Sequence, residues 1–522
     1  MSTQITNQRF RLVLLVLIPL ILSAYSHLWN VGGFPSIHID EAHYMRRVML
    51  VINGLGPQES ASTGYIRTYD HPYFGQLFLG GILKLIGYPS LYFTGSIINS
   101  VEILHIVPRL VMGVLAIIDT FLLFKIVQVR YNRTIALIAA ILFAVMPMTW
   151  ILRRVYLDTL LMPLLFSSIL FALYSRQPKV TDSRLSRSID NNVLIVLSGI
   201  FLGLAIYTKL PSFTFIPLVG CVLFFDSRSI KRLMMWLAPV FLIPLLWPLH
   251  SVIMGQSDLW AQWVLWQTER NKPLDRSLVS FFQIDPVIMI GGVAGTLFAS
   301  LRKDFFPLLW AGPFLVFSSL IGWVQYFHLI VIFPAFCIAF AILIDAARIK
   351  LIKHGWRTMS NVLVASIFVF GIVITTVIIT LDVNSTNYKI YAAIAEKIPD
   401  DSNVTMIGSH WWDWDTYWIT KFIMHKNHDL VDPMFDPSFR SPITTQKVLF
   451  IDDPRFEEAI SRNIRGSNFL VVSQLYDQTK PISVFVDNMT NNTPAYYPFN
   501  ILKTMIENEN HPQGKVTIRA NY

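Results

Sequence analysis

The strongest constraint on the fold of this chain is a series of eleven apolar runs, on the scale needed to cross roughly 30 Å of hydrocarbon as helices. They cover residues 12–29, 103–124, 134–152, 157–174, 192–208, 212–225, 233–253, 285–301, 306–323, 327–346 and 361–381. Only 14% of the residues are charged and the mean hydropathy is +0.50, which is too apolar for a soluble domain with a polar surface. The sequence therefore predicts an α-helical multi-pass membrane protein with about 11 spans.

The basic residues between these runs predict the orientation of the chain. They form six clusters, and all six lie on one side of the membrane if the amino terminus is cytoplasmic. The clusters contain Arg9 and Arg11; Lys125, Arg130 and Arg133; Arg176, Lys179, Arg184 and Arg187; Arg228, Lys231 and Arg232; Arg302 and Lys303; and Arg348, Lys350, Lys353 and Arg357. With an odd number of spans, the first loop (30–101) and the segment 382–522 lie outside the cytoplasm. A cleaved signal peptide, for which the small residues at 23–26 are suitable, is the alternative for the first run and leaves this sidedness unchanged.

The net charge bears on whether nucleic acid binds, and the two cysteines bear on how they pack. A net charge of +9 could indicate an anionic polymer as partner. The basic residues form short clusters between apolar runs rather than one stripe, so nucleic acid is not expected to bind. Cys221 and Cys337 lie inside apolar runs and are expected to pack as small core residues.

The end of the chain differs from the part before it. Strand-like runs at 404–408, 448–452 and 469–473 alternate with polar helical stretches, which predicts a small α/β domain. The expected organisation is a transmembrane catalytic domain over 1–381 and an extracytoplasmic domain over 382–522. The expected location is the cell membrane, or the endoplasmic reticulum membrane in a eukaryote.

Two further features of the terminal segment bear on its location, which the sequons support, and on its packing or function. Sequons of the N-x-S/T type stand at Asn384, Asn403, Asn488 and Asn491. The aromatic stretch WWDWDTYW at 411–418 has two interpretations. It is a platform on which a sugar stacks or, as is more common, a cluster in the core or against the membrane surface.

The polar residues at the predicted outer ends of the spans form an unusual set for a membrane boundary. They are His38, Asp40, Glu41, His43 and His71 in the first loop, Arg109 in the second span, Arg153, Arg154 and Asp158 before the fourth, Lys209 after the fifth, and Tyr326 and His328 before the tenth. Ionisable groups at bilayer depth cost about 2.5–3.5 kcal/mol, so they normally face a cavity or pair with one another. Taken without the rest of the set, these three residues need no functional site. Arg109 and Asp158 could form a structural ion pair, and Lys209 could extend its ammonium to the membrane surface. The whole set on one face favours a polar site.

These residue types suit group transfer from a lipid-linked phosphate. Two adjacent carboxylates on an extended or turning segment point in different directions, so one can accept a proton from a hydroxyl while the other holds that substrate. Arginine grips a phosphate through a bidentate fork, and lysine neutralises it as a point charge. A lipid tail on the phosphate would explain why the site lies at the bilayer.

Five motifs, in order, resemble the polytopic GT-C glycosyltransferases and, within them, the branch of the dolichyl-phosphate-mannose-protein mannosyltransferases. DEAHY at 40–44 resembles the family's Asp-Glu pair followed by His and an aromatic residue. DHPYFGQLFLGG at 70–81 resembles its second first-loop motif. VPRL at 107–110, RRVYLD at 153–158 and GLAIYTKL at 203–210 resemble its motifs in the following spans.

The resemblance covers roughly residues 10–380 and implies a role for each matching residue. It implies Asp40 as catalytic base and Glu41 as an acceptor contact. It implies Arg109, Arg153, Arg154 and Lys209 near the donor phosphate, with His43, His71, Asp158, Tyr326 and His328 lining the site. Tyr73 and Gln76 stand where the family tends to have Pro and Lys. These two departures concern the identity of the acceptor more than the type of reaction. The family fold implies eleven spans with juxtamembrane helices in the first loop, and the terminal domain is expected to be an unrelated addition.

The implied donor is a polyprenyl- or dolichyl-phosphate monosaccharide, with mannose the expected sugar and inversion by direct displacement the expected reaction. The expected acceptor is a hydroxyl of a protein, glycan or lipid, among which the sequence does not choose. Some GT-C relatives use a divalent metal at the first-loop acid. His38, Asp40 and His43 could form such a site, but their spacing on one loop defines no ligand geometry and no metal ligand is assigned.

Two other functions compete with this interpretation. A secondary transporter of a polar or anionic solute would use intramembrane charges as its substrate path, but such proteins usually contain internal repeats and broken midplane helices. No convincing repeat is present, and the charges lie at one face. Oligosaccharide transfer to asparagine is the alternative within the GT-C class, and the HPYFGQ and TKL stretches favour the monosaccharide branch.

Overall fold

The computed structural model describes residues 2–57, 69–93, 95–176, 190–269, 273–322, 324–400, 404–408, 417–426, 428–431, 447–452, 476–487, 497–499 and 514–522. Its α-helices are α1 Ser2–Leu28, α2 Ile39–Ile52, α3 Phe74–Leu85, α4 Ile97–Arg130, α5 Arg133–Val145, α6 Leu157–Tyr174, α7 Asn191–Thr208, α8 Ile216–Ser227, α9 Ile230–Leu242, α10 Leu246–Ile253, α11 Ser257–Glu269, α12 Leu274–Ile284, α13 Pro286–Leu301, α14 Phe306–Ile321, α15 Phe333–Lys353, α16 Arg357–Ile379 and α17 Ser385–Lys397. Short 3₁₀ segments occupy Pro147–Arg153, Leu210–Phe215 and Tyr326–Val331.

Every predicted apolar run is helical, but not every run is one long helix. Within the described residues, five helical stretches are long and apolar enough to cross a membrane: α4, α6, α7, Ile230–Ile253 and α16. The number rises to seven if α5 with Pro147–Arg153 (bent by 67°) and α12 with α13 (bent by 113°) each count as one span. Some of the other runs give shorter helices, and around α8 Pro211 and Pro217 interrupt α-helical hydrogen bonding. The multi-pass helical class is confirmed, and eleven full-length spans are not observed.

The helices pack through close backbone approaches where small residues permit them. A Cβ atom at Gly199 would lie 2.4 Å from the Trp236 carbonyl oxygen, and one at Gly203 would lie 2.5 Å from that of Pro239. Both glycines therefore bring α7 directly against α9, as small residues do between membrane helices. The α4 helix packs against α1, α5 and α6.

The first loop contributes two helices, α2 and α3, which pack against each other. The start of α2 is fixed by a reciprocal cap. The His38 side chain accepts a hydrogen bond from the Asp40 amide at 3.3 Å, and the Glu41 carboxylate accepts one from the His38 amide at 3.1 Å. Asp40 and Glu41 therefore stand in the first turn of a buried helix rather than on an extended segment.

The terminal segment contains α17 and a five-stranded sheet in the order β2-β1-β3-β5-β4. The strands are β1 Val404–Gly408, β2 His428–Val431, β3 Lys447–Asp452, β4 Lys480–Asp487 and β5 Gly514–Ala520. Strand β1 is parallel to β2 and β3, whereas β5 is antiparallel to β3 and β4. The strands predicted at 404–408 and 448–452 are present, which confirms the α/β character of the segment. The run at 469–473, most of 411–418, and the sequons at Asn403, Asn488 and Asn491 lie outside the described residues.

The terminal segment packs on the helical bundle rather than standing apart from it. Helix α17 contacts α4, and the His105 ring of α4 stacks on Tyr391 at a centroid distance of 5.6 Å. Trp418 is buried and meets His105 edge-on at 5.2 Å. For Trp418, the described end of the aromatic stretch, the structure agrees with core packing.

Candidate active site

One cavity of about 490 Å³ brings together residues that are far apart in the sequence. Of the predicted site residues it is lined by His38, Asp40, His43, His71, Asp158, Lys209 and His328. An apolar wall of the cavity is formed by Leu210, Phe213, Phe314, Phe317 and Ile321, among others. A cavity lined by both charged side chains and an apolar wall can accommodate a ligand that has a polar head and a hydrocarbon chain.

The two adjacent acids point to different places because they share one helix. Consecutive residues of an α-helix project about 100° apart. Asp40 lines the cavity and its side chain is 34% exposed, whereas the Glu41 side chain is only 6% exposed. Asp40 can therefore contact a molecule in the cavity, and Glu41 faces the protein interior.

Glu41 is held by Arg109 in a bidentate ion pair. The Arg109 Nε and Nη2 atoms donate to the two Glu41 carboxylate oxygens at 2.9 and 2.6 Å, and the Val155 amide donates to the carboxylate at 3.1 Å. Burial alone would raise the pKa of Glu41, but the Arg109 guanidinium lowers it below its usual value. This pair joins the first loop to α4, and neither Glu41 nor Arg109 lines the cavity.

The three arginines predicted at the donor phosphate all bind the backbone of the segment that leads into α2. Their donors reach carbonyl oxygens of this irregular segment, which has few internal hydrogen bonds of its own. The bonds run from Arg109 to Val31 at 3.3 Å and Pro35 at 2.8 Å, from Arg153 to Trp29, and from Arg154 to Ser36 at 3.0 Å. Arg109, Arg153 and Arg154 are outside the cavity lining, so the structure places them where they hold the loop.

Lys209 is the predicted phosphate cation that does line the cavity. Its ammonium lies 2.5 Å from an Asp158 carboxylate oxygen, and both side chains are buried. Lys209 follows the last residue of α7, and Asp158 is in the first turn of α6, where a helix N-terminus favours a carboxylate. The pair presents a fixed cation to the cavity.

A second charged cluster contains His43 and Asp70, which line the cavity with His71, and it was only partly foreseen from the sequence. Asp70 accepts from His43 Nε2 at 3.0 Å and from Arg47, and Arg46 Nη2 lies 3.0 Å from His43 Nδ1. Burial alone would raise the pKa of Asp70, but Arg47 and His43 hold it well below its usual value. Arg46 and Arg47 follow His43 by three and four residues, and this helical spacing was the available signal.

His71 lines the cavity beside this cluster. Burial lowers the pKa of His71 to about 3; Asp70 opposes this shift, whereas Lys209 adds to it. The imidazole is therefore neutral at physiological pH and can offer one donor and one acceptor.

The remaining predicted residues separate into those at the cavity and those behind it. His328 lines the cavity, and its Nδ1 accepts from the Gln325 amide at 3.2 Å. Tyr326 is behind it, and its hydroxyl accepts from Arg154 at 3.3 Å. Tyr73 and Gln76, the two departures from the family motif, are buried and do not line the cavity.

The residues considered for a metal do not form a ligand set. Among the residues that the structure describes, no three His, Cys, Asp or Glu side chains are grouped to hold an ion. His43 is directed to Asp70, while the Asp40 carboxylate lies 3.9 Å from His38. No step of the reaction is therefore assigned to a metal.

Comparison with solved structures identifies the fold. ArnT from Cupriavidus metallidurans, solved with undecaprenyl phosphate, matches with a TM-score of 0.56 and 14% identity over 98% of each chain. Archaeal oligosaccharyltransferase AglB from Archaeoglobus fulgidus, solved with an inhibitory peptide and a dolichol-phosphate, matches with a TM-score of 0.53 and 13% identity, over 85% of this chain and 70% of its own. Another structure of the Archaeoglobus oligosaccharyltransferase, tethered with an acceptor peptide, matches with a TM-score of 0.53 and 12% identity over 80% of this chain. This chain spans 63% of the length of that protein.

The fold is therefore the GT-C fold of polytopic membrane glycosyltransferases. The ArnT match covers 98% of this chain and therefore extends into the terminal segment.

A family model matches part of the sequence. Residues 91–251 match the model of the dolichyl-phosphate-mannose-protein mannosyltransferase family, a range that contains Arg109, Asp158 and Lys209. No curated protein matches the chain. The fold and the family match together confirm the predicted class, a membrane glycosyltransferase of the GT-C type.

Proposed function

We propose that this enzyme transfers one monosaccharide, mannose in line with the family match, from a polyprenyl- or dolichyl-phosphate donor to an acceptor hydroxyl with inversion. The observation that carries this proposal is the cavity in which the exposed Asp40 carboxylate, the Lys209 cation and an apolar wall meet. The undecaprenyl phosphate in the ArnT structure and the dolichol-phosphate in the AglB structure support a lipid-phosphate donor.

Asp40 is the proposed base. The acceptor hydroxyl oxygen attacks the anomeric carbon, and the bond from that carbon to the phosphate oxygen breaks. The hydroxyl proton passes to the Asp40 carboxylate, and polyprenyl phosphate leaves with the bonding electron pair. A single displacement of this kind inverts the configuration at the anomeric carbon.

Lys209 is the proposed contact for the phosphate. Negative charge on the leaving phosphate grows as the bond breaks, and a preorganised cation stabilises that charge most in a site from which water is largely excluded. Asp158 holds the ammonium in place at 2.5 Å. The neutral His71 ring supplies a further donor without adding charge.

Glu41 and Arg109 act through position in this proposal. Their mutual ion pair uses both carboxylate oxygens and two guanidinium nitrogens, and Arg109 Nη1 is bound to Pro35. This set of contacts fixes the angle at which α2 presents Asp40, which is a different role from the acceptor and phosphate contacts that the resemblance implied.

The apolar wall is the proposed site of the first isoprene units. Phe213, Phe314 and Phe317 belong to the 3₁₀ segment before α8 and to α14, which packs against it. Phe213 and Phe317 meet edge-on at a centroid distance of 4.9 Å. A hydrocarbon chain in contact with these rings would extend into the bilayer beside α14.

We place the cavity, the first loop and the terminal segment on the extracytoplasmic side, with residues 1–381 as the catalytic unit and 382–522 as the terminal domain. Arg109 and Arg130 belong to the same helix, and their separation of 21 positions corresponds to roughly 32 Å along its axis. Arg130 pairs with Asp304 at 2.9 Å, so the basic clusters after α4 and α13 lie at one end of the bundle. The cavity is at the other end, as the positive-inside rule requires.

The test is transfer of labelled sugar from polyprenyl-phosphate donors by purified Asp40→Asn. The amide keeps the size of the carboxylate but cannot accept the proton, and a loss of about 10²–10⁴-fold in turnover is expected with donor binding retained. Asp400→Asn is the matched control, because that carboxylate is 87% exposed and remote in the sequence. Near-normal turnover of Asp40→Asn would refute Asp40 as base. Solute uptake without any sugar transfer by the wild-type protein would favour the transporter alternative.

A further inference from the structure

Asn384 was predicted as a glycosylation sequon, but its side chain is completely buried. Its amide nitrogen donates to the Gly32 and Pro35 carbonyl oxygens at 2.8 and 2.7 Å, and its amide oxygen accepts from the Ile37 amide at 3.1 Å. Both N–H donors and the carbonyl oxygen of this one side chain thus bind a six-residue stretch of the first loop. A glycan cannot be attached at this nitrogen while these bonds are present.

The position of Asn384 makes this use unusual. It stands at the N-cap of α17, where an asparagine normally accepts a hydrogen bond from its own helix. Here it makes no such bond, and Asp382 replaces it by accepting from the Asn384 and Ser385 amides at 3.3 and 3.1 Å. The capping function has moved to a neighbour, and the Asn384 side chain is directed to the first loop.

The contacts of Asn384 belong to a wider clamp between the terminal segment and the loop. The Tyr388 hydroxyl donates to the Gly32 carbonyl at 2.9 Å, and the Val383 amide donates to the Gly33 carbonyl at 2.9 Å. Asn30 in turn donates to the carbonyls of Ile379 and Leu381 at 2.9 and 2.7 Å. The loop that ends in α2 is therefore fixed from one side by Arg109 and from the other by residues after α16.

We propose that Asn384 is a positioning residue for the catalytic base. Ile37, which Asn384 binds, directly precedes the N-cap of α2, and Asp40 is two residues beyond that cap. Loss of the clamp would let the first turn of α2 shift, and a displacement of about 1 Å of a reacting group is enough to cost 10²-fold in rate. The inference rests on the proposed role of Asp40, and it makes the terminal domain part of the catalytic geometry.

The experiment compares Asn384→Asp with Thr386→Ala. The aspartate keeps the shape and the acceptor for Ile37 but cannot donate to the two carbonyls, whereas Thr386→Ala removes the sequon and leaves Asn384 intact. Turnover is measured per donor-binding site, so that loss of folded protein does not lower the measured kcat. A 10- to 100-fold lower kcat with donor affinity within threefold of wild type is expected for Asn384→Asp, and wild-type values are expected for Thr386→Ala.

Hydrogen exchange gives a readout that a general loss of stability would not reproduce. Faster exchange in Asn384→Asp is expected to be confined to the loop before α2 and its first turn. If kcat per donor-binding site is unchanged, or if a glycan is found on Asn384 in active enzyme, the positioning role is refuted. If Asp40→Asn is also fully active, the proposed base fails. If only Asp40→Asn is inactive, the base stands and the clamp alone fails.

Discussion

Replacement of Arg109 by Met distinguishes a residue that positions the loop from one that binds phosphate. The change removes the bidentate partner of Glu41 and leaves a carboxylate whose side chain is 6% exposed without its counter-charge. Removing one member of a buried pair typically costs about 3–5 kcal/mol, because the other charge stays desolvated. The remaining bonds to Val31 and Pro35 are lost as well. We expect a large loss of stability and a donor affinity close to that of wild type.

The pKa of Glu41 determines how the destabilisation of Arg109→Met should change with pH. In the wild type the pKa of Glu41 is lowered on folding, so its stabilisation is present above the usual carboxyl pKa and is lost as the pH falls through the folded value. Without Arg109, burial is opposed only by the smaller effects of Arg154 and the Val155 amide, and we expect the folded pKa of Glu41 to rise above its usual value. The destabilisation of Arg109→Met is therefore expected to be greatest near pH 7 and smaller toward pH 5.

The assay is thermal unfolding of the purified variant in detergent at several pH values, alongside donor binding. Arg130→Met is the matched control, because its pair with Asp304 is partly exposed and worth about 0–1 kcal/mol. The double variant with Glu41→Gln should be less destabilised than the two single changes predict, since they remove one interaction. A tenfold or greater loss of donor affinity with unchanged stability would refute the positioning role and restore the phosphate contact.

Three further outcomes are expected. Lys209→Met should weaken donor binding by roughly 10- to 100-fold, because a charge-assisted contact is worth about 1.5–3 kcal/mol, and unchanged affinity measured by titration would exclude the phosphate contact. His71→Gln should leave the shape of the pH–rate profile between pH 5 and 8 unaltered, since the pKa of His71 is about 3 and the ring is already neutral there; a limb that disappears in this variant would contradict the assignment. Cysteines introduced at positions 60 and 440, in a chain without its two native cysteines, should react with a membrane-impermeant thiol reagent in intact cells, and labelling only after permeabilisation would reverse the topology.

The helical architecture could be predicted because apolar runs report directly on burial in lipid, and all eleven runs are helical. The number of uninterrupted spans could not, because proline breaks such as that at Pro211 change the backbone without changing the hydropathy. For the site, the sequence identified Asp40 and Lys209 as cavity residues. It could not separate them from Glu41 and Arg109, since the direction of a side chain depends on the helix that carries it.

Arginine and asparagine show the same limit of prediction, because the type of residue does not identify its hydrogen-bond partner. A guanidinium donates equally well to a phosphate and to a backbone carbonyl, so residue type alone does not distinguish the two for Arg153 and Arg154. The Asn384 sequon is a genuine sequence pattern, yet the amide is committed to Gly32 and Pro35. Only the tertiary contacts of an irregular loop reveal either use.

The clamp on the first loop also has a consequence for biosynthesis. The arginine that holds Pro35 from one side is residue 109, whereas the asparagine that holds it from the other is residue 384. At translation rates of about 5–20 residues per second, the second partner is synthesised roughly 15–55 s after the first. By the end of that interval the nascent chain contains helices α1–α16 and the residues of the cavity, but it still lacks one side of the support for the loop that leads into α2. On the proposed role of Asn384, catalytic competence is acquired only after residue 384 has been synthesised, and a chain truncated after α16 should insert into the membrane without becoming fully active.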